Sequence, residues 1–182
     1  MNDDIAVIDA SSCSRFGLVS DSHGFIDKRI VDALKHCDFV IHAGDLGGCE
    51  VLNTLCTVAP IAAVRGNNDT SERWLQGELD RLRKIPLVAR IKLSGGHVVV
   101  LHGHQYPQAK KRHRQMRDQY PDALAIIYGH SHRSVIDTEN LPWVLNPGSC
   151  GRERTYGGPS ALILERGLRR WNVSSLRFPI VR

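Results

Sequence analysis

Phe16-Gly17-Leu18-Val19-Ser20-Asp21-Ser22-His23-Gly24 is the stretch whose reading decides the fold. A short apolar run, long enough for one buried strand, stops at an acid, a small residue, an imidazole and a glycine. Side chains alternate faces along a strand, so Asp21 and His23 lean the same way out of its carboxyl end. A carboxylate beside an imidazole suits a divalent metal. An N-cap reads equally well from these residues alone, because Asp or Ser before a helix opening near Phe25 has the same appearance. The choice rests on whether other apolar runs end in the same manner.

They do. After Gly24, Ile26, Ile30, Ala33, Leu34 and Cys37 fall on one helical face, predicting an amphipathic helix over 25–36. Phe39-Val40-Ile41-His42-Ala43 then runs into Gly44-Asp45. A short helix over 50–56 leads to Ile61-Ala62-Ala63-Val64, which ends in Arg65-Gly66-Asn67-Asn68-Asp69. Strand, helix, strand in this rhythm means parallel pairing, with ligands beyond the strands' carboxyl ends. Trp74, Leu75, Leu79 and Leu82 suggest an irregular helix over 70–83. Residues 87–93 and 97–101 flank Ser94-Gly95-Gly96 as a hairpin, and its second strand ends in His102-Gly103-His104. A basic helix is expected between Pro107 and Tyr120. Leu124 to Tyr128 is another buried strand, delivering Gly129-His130-Ser131-His132. Short strands follow at 134–137 and 142–145, then the turn Asn146-Pro147-Gly148-Ser149. Strands at 160–165 and 169–176 close the chain as a hairpin.

At 182 residues, with no internal repeat or low-complexity linker, one domain over 1–182 is expected. Residues 1–14 are an unassigned extension, open to being an edge strand or loose. Hydrophobic content of 42% and charged content of 24% are ordinary globular values, and no apolar run approaches membrane length. The acidic start (Asn2, Asp3, Asp4) argues against a secretory signal. Five cysteines with no C-x-x-C pair point to reduced thiols and a cytoplasmic location. A net charge of +5 favours an anionic partner. Aromatics at 6% support a nucleic-acid partner only weakly, and a homo-oligomer stays open.

Five strands thus finish in metal-type side chains: Asp21 and His23, Asp45, Asn67, His102, and His130 with His132. This nitrogen and oxygen set suits Mn, Fe, Ni or Zn and is poor for Ca. Seven side chains exceed what one tetrahedral ion takes, so two ions sharing a carboxylate fit better.

The ordered set D-x-H, G-D, G-N-x-D, G-H after a strand-end histidine, and G-H-x-H resembles the calcineurin-like metallophosphoesterase superfamily. Leu101-His102-Gly103-His104-Gln105 and Asn146-Pro147-Gly148-Ser149 resemble its small branch of bacterial and archaeal phosphodiesterases, to which the retromer scaffold subunit is related. The match spans roughly residues 16–165. The resemblance implies an α/β fold, a four-layer α-β-β-α sandwich of two mixed sheets, with a dinuclear site at one edge. By that resemblance Asp21, His23 and His132 would hold one ion, and Asn67, His102 and His130 the other. Asp45 would bridge them.

The implied activity is hydrolysis of a small or nucleotide-like phosphodiester by in-line attack of a hydroxide held between two ions, Mn foremost, with Ni, Fe or Zn as alternatives. Asp45, Asn67, Asp69 and His104 are the catalytic candidates. Many members read G-N-H-D, where the histidine, oriented by the aspartate, helps the leaving group. Here that position is Asn68, which cannot serve as an acid at neutral pH. His104 or a metal-bound water is expected to supply the acid. A non-catalytic scaffold that keeps the fold is the competing reading. A phosphomonoesterase is a third, weakened because Gly44-Asp45-Leu46-Gly47-Gly48 lacks the arginine of the protein phosphatases.

His36, His97 and His113 are expected at the surface, and His42 as a buried donor behind the ligands. Asn146 reads as a turn residue, with an orienter of a ligand such as His23 as the alternative. Lys110, His113, Arg114 and Arg117 share one helical face, expected to be mostly solvated, with a cationic rim that steers phosphate-bearing substrates as the alternative. Arg65, Arg133, Arg152 and Arg154 are candidates for gripping a phosphoryl oxygen.

Overall fold

The computed structural model describes residues 5–167 and 170–180. Residues 1–4 of the extension and residue 169 of the expected tail strand lie outside the described residues. The chain opens with β1 (Ile5–Asp9) and β2 (Arg15–Val19), then α1 (Lys28–Leu34), β3 (Phe39–His42), α2 (Cys49–Cys56) and β4 (Ile61–Ala63). After α3 (Leu79–Lys84) come β5 (Val88–Leu93), β6 (Gly96–Leu101), α4 (Arg112–Gln119), β7 (Ala125–Ile127), β8 (Ser134–Asp137), β9 (Trp143–Pro147), β10 (Ser160–Arg166) and β11 (Trp171–Arg177).

The strands form two mixed sheets, ordered β1-β5-β6-β7-β9-β8 and β11-β10-β2-β3-β4. Strand alternation divides the apolar side chains between three layers of packing. Phe16, Leu18, Ile41, Ile91, Val98, Val100, Ile127, Leu145 and Leu162 meet between the sheets. On the outer face of the five-stranded sheet, Val19, Val40 and Ile163 pack with Ile30, Leu34, Leu52 and Leu55 of the helices. On the outer face of the other sheet, Val99, Leu101, Ile126 and Val144 pack with Met116 and Tyr120. The result is the expected four-layer α-β-β-α sandwich.

The first fourteen residues supply an edge strand: β1 runs parallel to β5, Ile5 opposite Val88. The N-cap reading of Asp21 fails, because the residue capping α1 is Asp27, whose carboxylate accepts from Arg29 N at 2.9 Å. That cap also shortens the expected 25–36 helix. The 70–83 stretch is no continuous helix: a 3₁₀ turn at Gln76–Glu78 precedes α3. Parallel β2, β3 and β4 in one sheet, and parallel β6 and β7 in the other, bring their carboxyl ends together at one edge of the sandwich.

Candidate metal centre

The loops leaving β2, β3, β6 and β7 converge. Asp21, His23 and His132 offer ligand atoms within 4.8 Å of one another, and so do Asp21, Asp45 and His102. His23 Nε2 and His132 Nε2 lie 3.2 Å apart. Two nitrogens each ~2.1 Å from a tetrahedral ion would be about 3.4 Å apart, so this spacing is that of two ligands on one cation. Asp21 Oδ1 is 3.4 Å from His132 Nε2. Asp45 Oδ2 lies between the two groups, 3.8 Å from His23 Nε2 and 3.3 Å from His102 Nε2.

Hydrogen bonds elsewhere on the rings fix which nitrogen faces inward. His102 Nδ1 donates to the Ala43 carbonyl at 2.8 Å, leaving Nε2 aimed at Asp45, buried and without a hydrogen-bond partner. His132 Nδ1 donates to the Glu153 carbonyl at 3.0 Å. An imidazole whose other nitrogen is tied to a carbonyl is held in the tautomer a metal needs. Burial holds His132 and His130 down to about 4, so both are neutral near pH 7. Burial also pushes Asp21 up to about 7, despite the nearby His102, which signals a carboxylate short of positive charge. An orphaned inward nitrogen and an under-compensated acid are what a divalent cation would satisfy. The donor set fits one.

The backbone carries the same signature. Asp21, His23, Asp45, His130 and His132 all have positive φ, between 47° and 64°. Non-glycine residues adopt this region rarely, and such strain persists where the surroundings over-determine it. Close approach adds to it: a Cβ on Gly66 would lie 2.0 Å from Asp45 Oδ1 and 2.4 Å from Asp45 N.

Not every expected residue joins the cluster. His130 stands at its edge, with its ring 5.3 Å from that of His102. His104 is half-buried, 5.6 Å ring to ring from His102, with Nδ1 unpartnered. Asn67, expected as a ligand, is exposed. The 66–69 turn directs Asn68 inward instead, with its N–H on Asp45 Oδ1 at 2.9 Å and its Nδ2 on Oδ2 at 2.6 Å. Asp69, expected among the catalytic residues, is a loop brace. Its carboxylate accepts from Gly66 N, Leu46 N, Gly47 N and Trp74 Nε1 at 2.8 to 3.1 Å, leaving no capacity for proton transfer.

His42 is the buried donor expected. Gly44 N donates to its Nδ1, so Nε2 carries the proton and donates to Ser22 Oγ at 2.9 Å. Asn146 does more than turn the chain: its Nδ2 holds the Gly129 carbonyl at 2.7 Å, while its Oδ1 accepts from Gly148 N. Sequence reasoning passed over Arg73, which lines the cleft in front of the cluster with His23, Gly47, Asn68, Glu153 and Arg154. Nothing in its irregular surroundings marks it in the sequence. Among the loop arginines, Arg133 stacks on Tyr156 and Arg152 on Phe25, while Arg154 reaches a converging histidine, with Nη2 2.8 Å from His132 Nε2.

A probable metallophosphoesterase of Methanothermobacter thermautotrophicus is 30% identical over 153 residues, covering 81% of this chain and 83% of that one. A phosphodiesterase of Methanocaldococcus jannaschii is 24% identical, covering 75% and 84%. The crystal structure of wild-type Vps29 from Entamoeba histolytica complexed with Zn²⁺ shares the fold, with a TM-score of 0.69 at 21% identity over 91% of this chain and 98% of that one. The calcineurin-like phosphoesterase superfamily domain matches residues 15–167, and the chain belongs to that family.

Proposed function

We propose that the chain is a metal-dependent phosphodiesterase acting on a small anionic diester. One observation carries this reading: Nε2 of His23, His102 and His132 converge with Asp21 and Asp45, and two of these rings are locked in the metal-binding tautomer. Asp21, His23 and His132 would hold one divalent cation, Asp45 and His102 a second, with His130 beside it. Such a pair, Mn foremost, acidifies a water and neutralises charge on phosphoryl oxygens.

The protein's own part is positioning. Asn68 grips both oxygens of Asp45 and fixes the carboxylate between the two groups. Asp69 ties the 44–47 loop to the 66–69 turn. A carboxamide in place of an acid beside the centre supports diesters over alkyl monoesters, whose leaving alkoxide most needs a proton. The named phosphodiesterase among the relatives supports the same class.

The likeness to Vps29 favours a second reading, a binding module that retains the centre. The test loads the protein with Mn²⁺ and compares bis(p-nitrophenyl) phosphate with p-nitrophenyl phosphate, using Asp45→Asn as the control. Diester turnover exceeding monoester turnover and lost by at least about 10²-fold in the variant is expected. Bound Mn²⁺ with no turnover of either ester would support the binding module instead.

A further inference from the structure

The cleft in front of the centre has a volume of about 420 Å³ and is lined by His23, Gly47, Asn68, Arg73, Glu153 and Arg154. That lies within the ~300–1,000 Å³ of small-molecule sites, more than a bare phosphate fills. Its lining has no aliphatic side chain, and no Phe, Tyr or Trp on which a base would stack, so shape and charge are left to do the selecting. Two guanidinium groups oppose one carboxylate, Glu153.

The two arginines are differently placed. Arg154 is at φ +48°, and its Nη2 donates to the His132 nitrogen that faces the centre. A cation taking that lone pair would repel the guanidinium and turn it into the cleft. Arg73 is exposed, and its guanidinium has no hydrogen bond or ion pair to any described residue. Both are free to meet an anion bidentately once the centre is loaded.

We propose that this cleft is a second-anion subsite, and that the substrate is a small phosphodiester bearing another phosphate, held by Arg73 and Arg154 away from the phosphorus under attack. This rests on the hydrolase reading above. It narrows the substrate class from any small diester to one with an additional phosphate.

The test uses thymidine 5′-(p-nitrophenyl phosphate) with and without a 3′-phosphate on the Mn²⁺-loaded protein, and calorimetric binding of thymidine 3′,5′-bisphosphate against thymidine 5′-monophosphate. The 3′-phosphate is expected to raise kcat/KM and affinity about ten-fold. Both ratios should fall towards one in Arg73→Ala and be partly retained in Arg73→Lys. Arg154→Ala should lower the ratios and, without any substrate, bind Mn²⁺ more tightly, since the competing cation is gone. A wild-type binding ratio near one, or ratios that survive both alanine substitutions, would overturn the subsite. Absent turnover of the plain ester with the binding ratio intact would overturn the hydrolase reading and leave the subsite standing.

Discussion

Ser22 sits between two of the converging side chains, and His42 holds it in place. The Ser22 hydroxyl accepts from His42 Nε2 and donates to the Leu46 carbonyl at 2.9 Å, so one buried imidazole pins the Asp21–His23 loop to the Gly44–Leu46 loop. The sequence could announce this residue, because an imidazole inside an apolar strand needs a partner when buried. Burial first, then the charge of His102, holds His42 down to about 3, against 6.5 in an unfolded chain. Between those values the unfolded chain binds more protons, so stability rises with pH and is lost on acidification. The slope from this group reaches about 1.4 kcal/mol per pH unit. Urea unfolding of metal-free protein between pH 7 and pH 5 should therefore lose less stability in His42→Gln than in the parent. Equal pH slopes for the two would remove His42 from the account. His130 and His132 titrate in the same window, which is why the difference between proteins, and not the slope of either alone, is the measure.

At the scale of elements, the helices show what periodicity can and cannot carry. The stripe on α1 was legible because Ile30 and Leu34 pack on the sheet at helical spacing. The basic face of α4 misleads. Arg114 is exposed, but His113 Nδ1 and Arg117 Nη2 both bind Asp137 of β8, at 2.8 and 2.7 Å, and His113 Nε2 reaches the Tyr128 hydroxyl. No local pattern says that an acid twenty residues later comes alongside, so a docking surface reads as a solvated one. The β2 and α1 contact yields a sharper expectation. A Cβ on Gly17 would lie 2.2 Å from Leu34 Cδ2 and 3.3 Å from Cys37 Sγ, both buried. Because β2 is held on both sides by β3 and β10, the Leu34 side chain or its helix would have to give way. Gly17→Ala should cost about 1–3 kcal/mol, seen as a lower urea midpoint at unchanged m. An unchanged midpoint would mean that Leu34 finds another rotamer without cost.

For the whole molecule, what was legible is local and what was not is pairing at a distance. Strand-helix-strand rhythm and the strand-end chemistry could be read directly, because both repeat within a few residues. The order of strands in the six-stranded sheet, with β1 added at its edge beside β5, depends on partners some eighty residues apart. Within the site, motif spacing does not say that Asn68 turns its side chain onto Asp45 while Asn67 is exposed. Nor does spacing reveal that five of the seven positive-φ non-glycine residues among those described are Asp21, His23, Asp45, His130 and His132. At roughly 1–3 kcal/mol each, that strain is a large fraction of a domain's net stability. Cation binding would offset it through contacts made only in the folded state. With Mn²⁺ at about a thousand times its dissociation constant, the gain is about 4 kcal/mol. For a chain of this size each kcal/mol shifts Tm by roughly 2–4 °C, so saturation should raise Tm by on the order of 10 °C over protein treated with a chelator. Differential scanning calorimetry with and without Mn²⁺ measures this directly. Asp45→Asn should reduce the shift, whereas Ca²⁺ at the same concentration should produce little, given the imidazole-rich donor set. A Tm indifferent to every transition metal would mean that the convergence of these side chains serves packing alone.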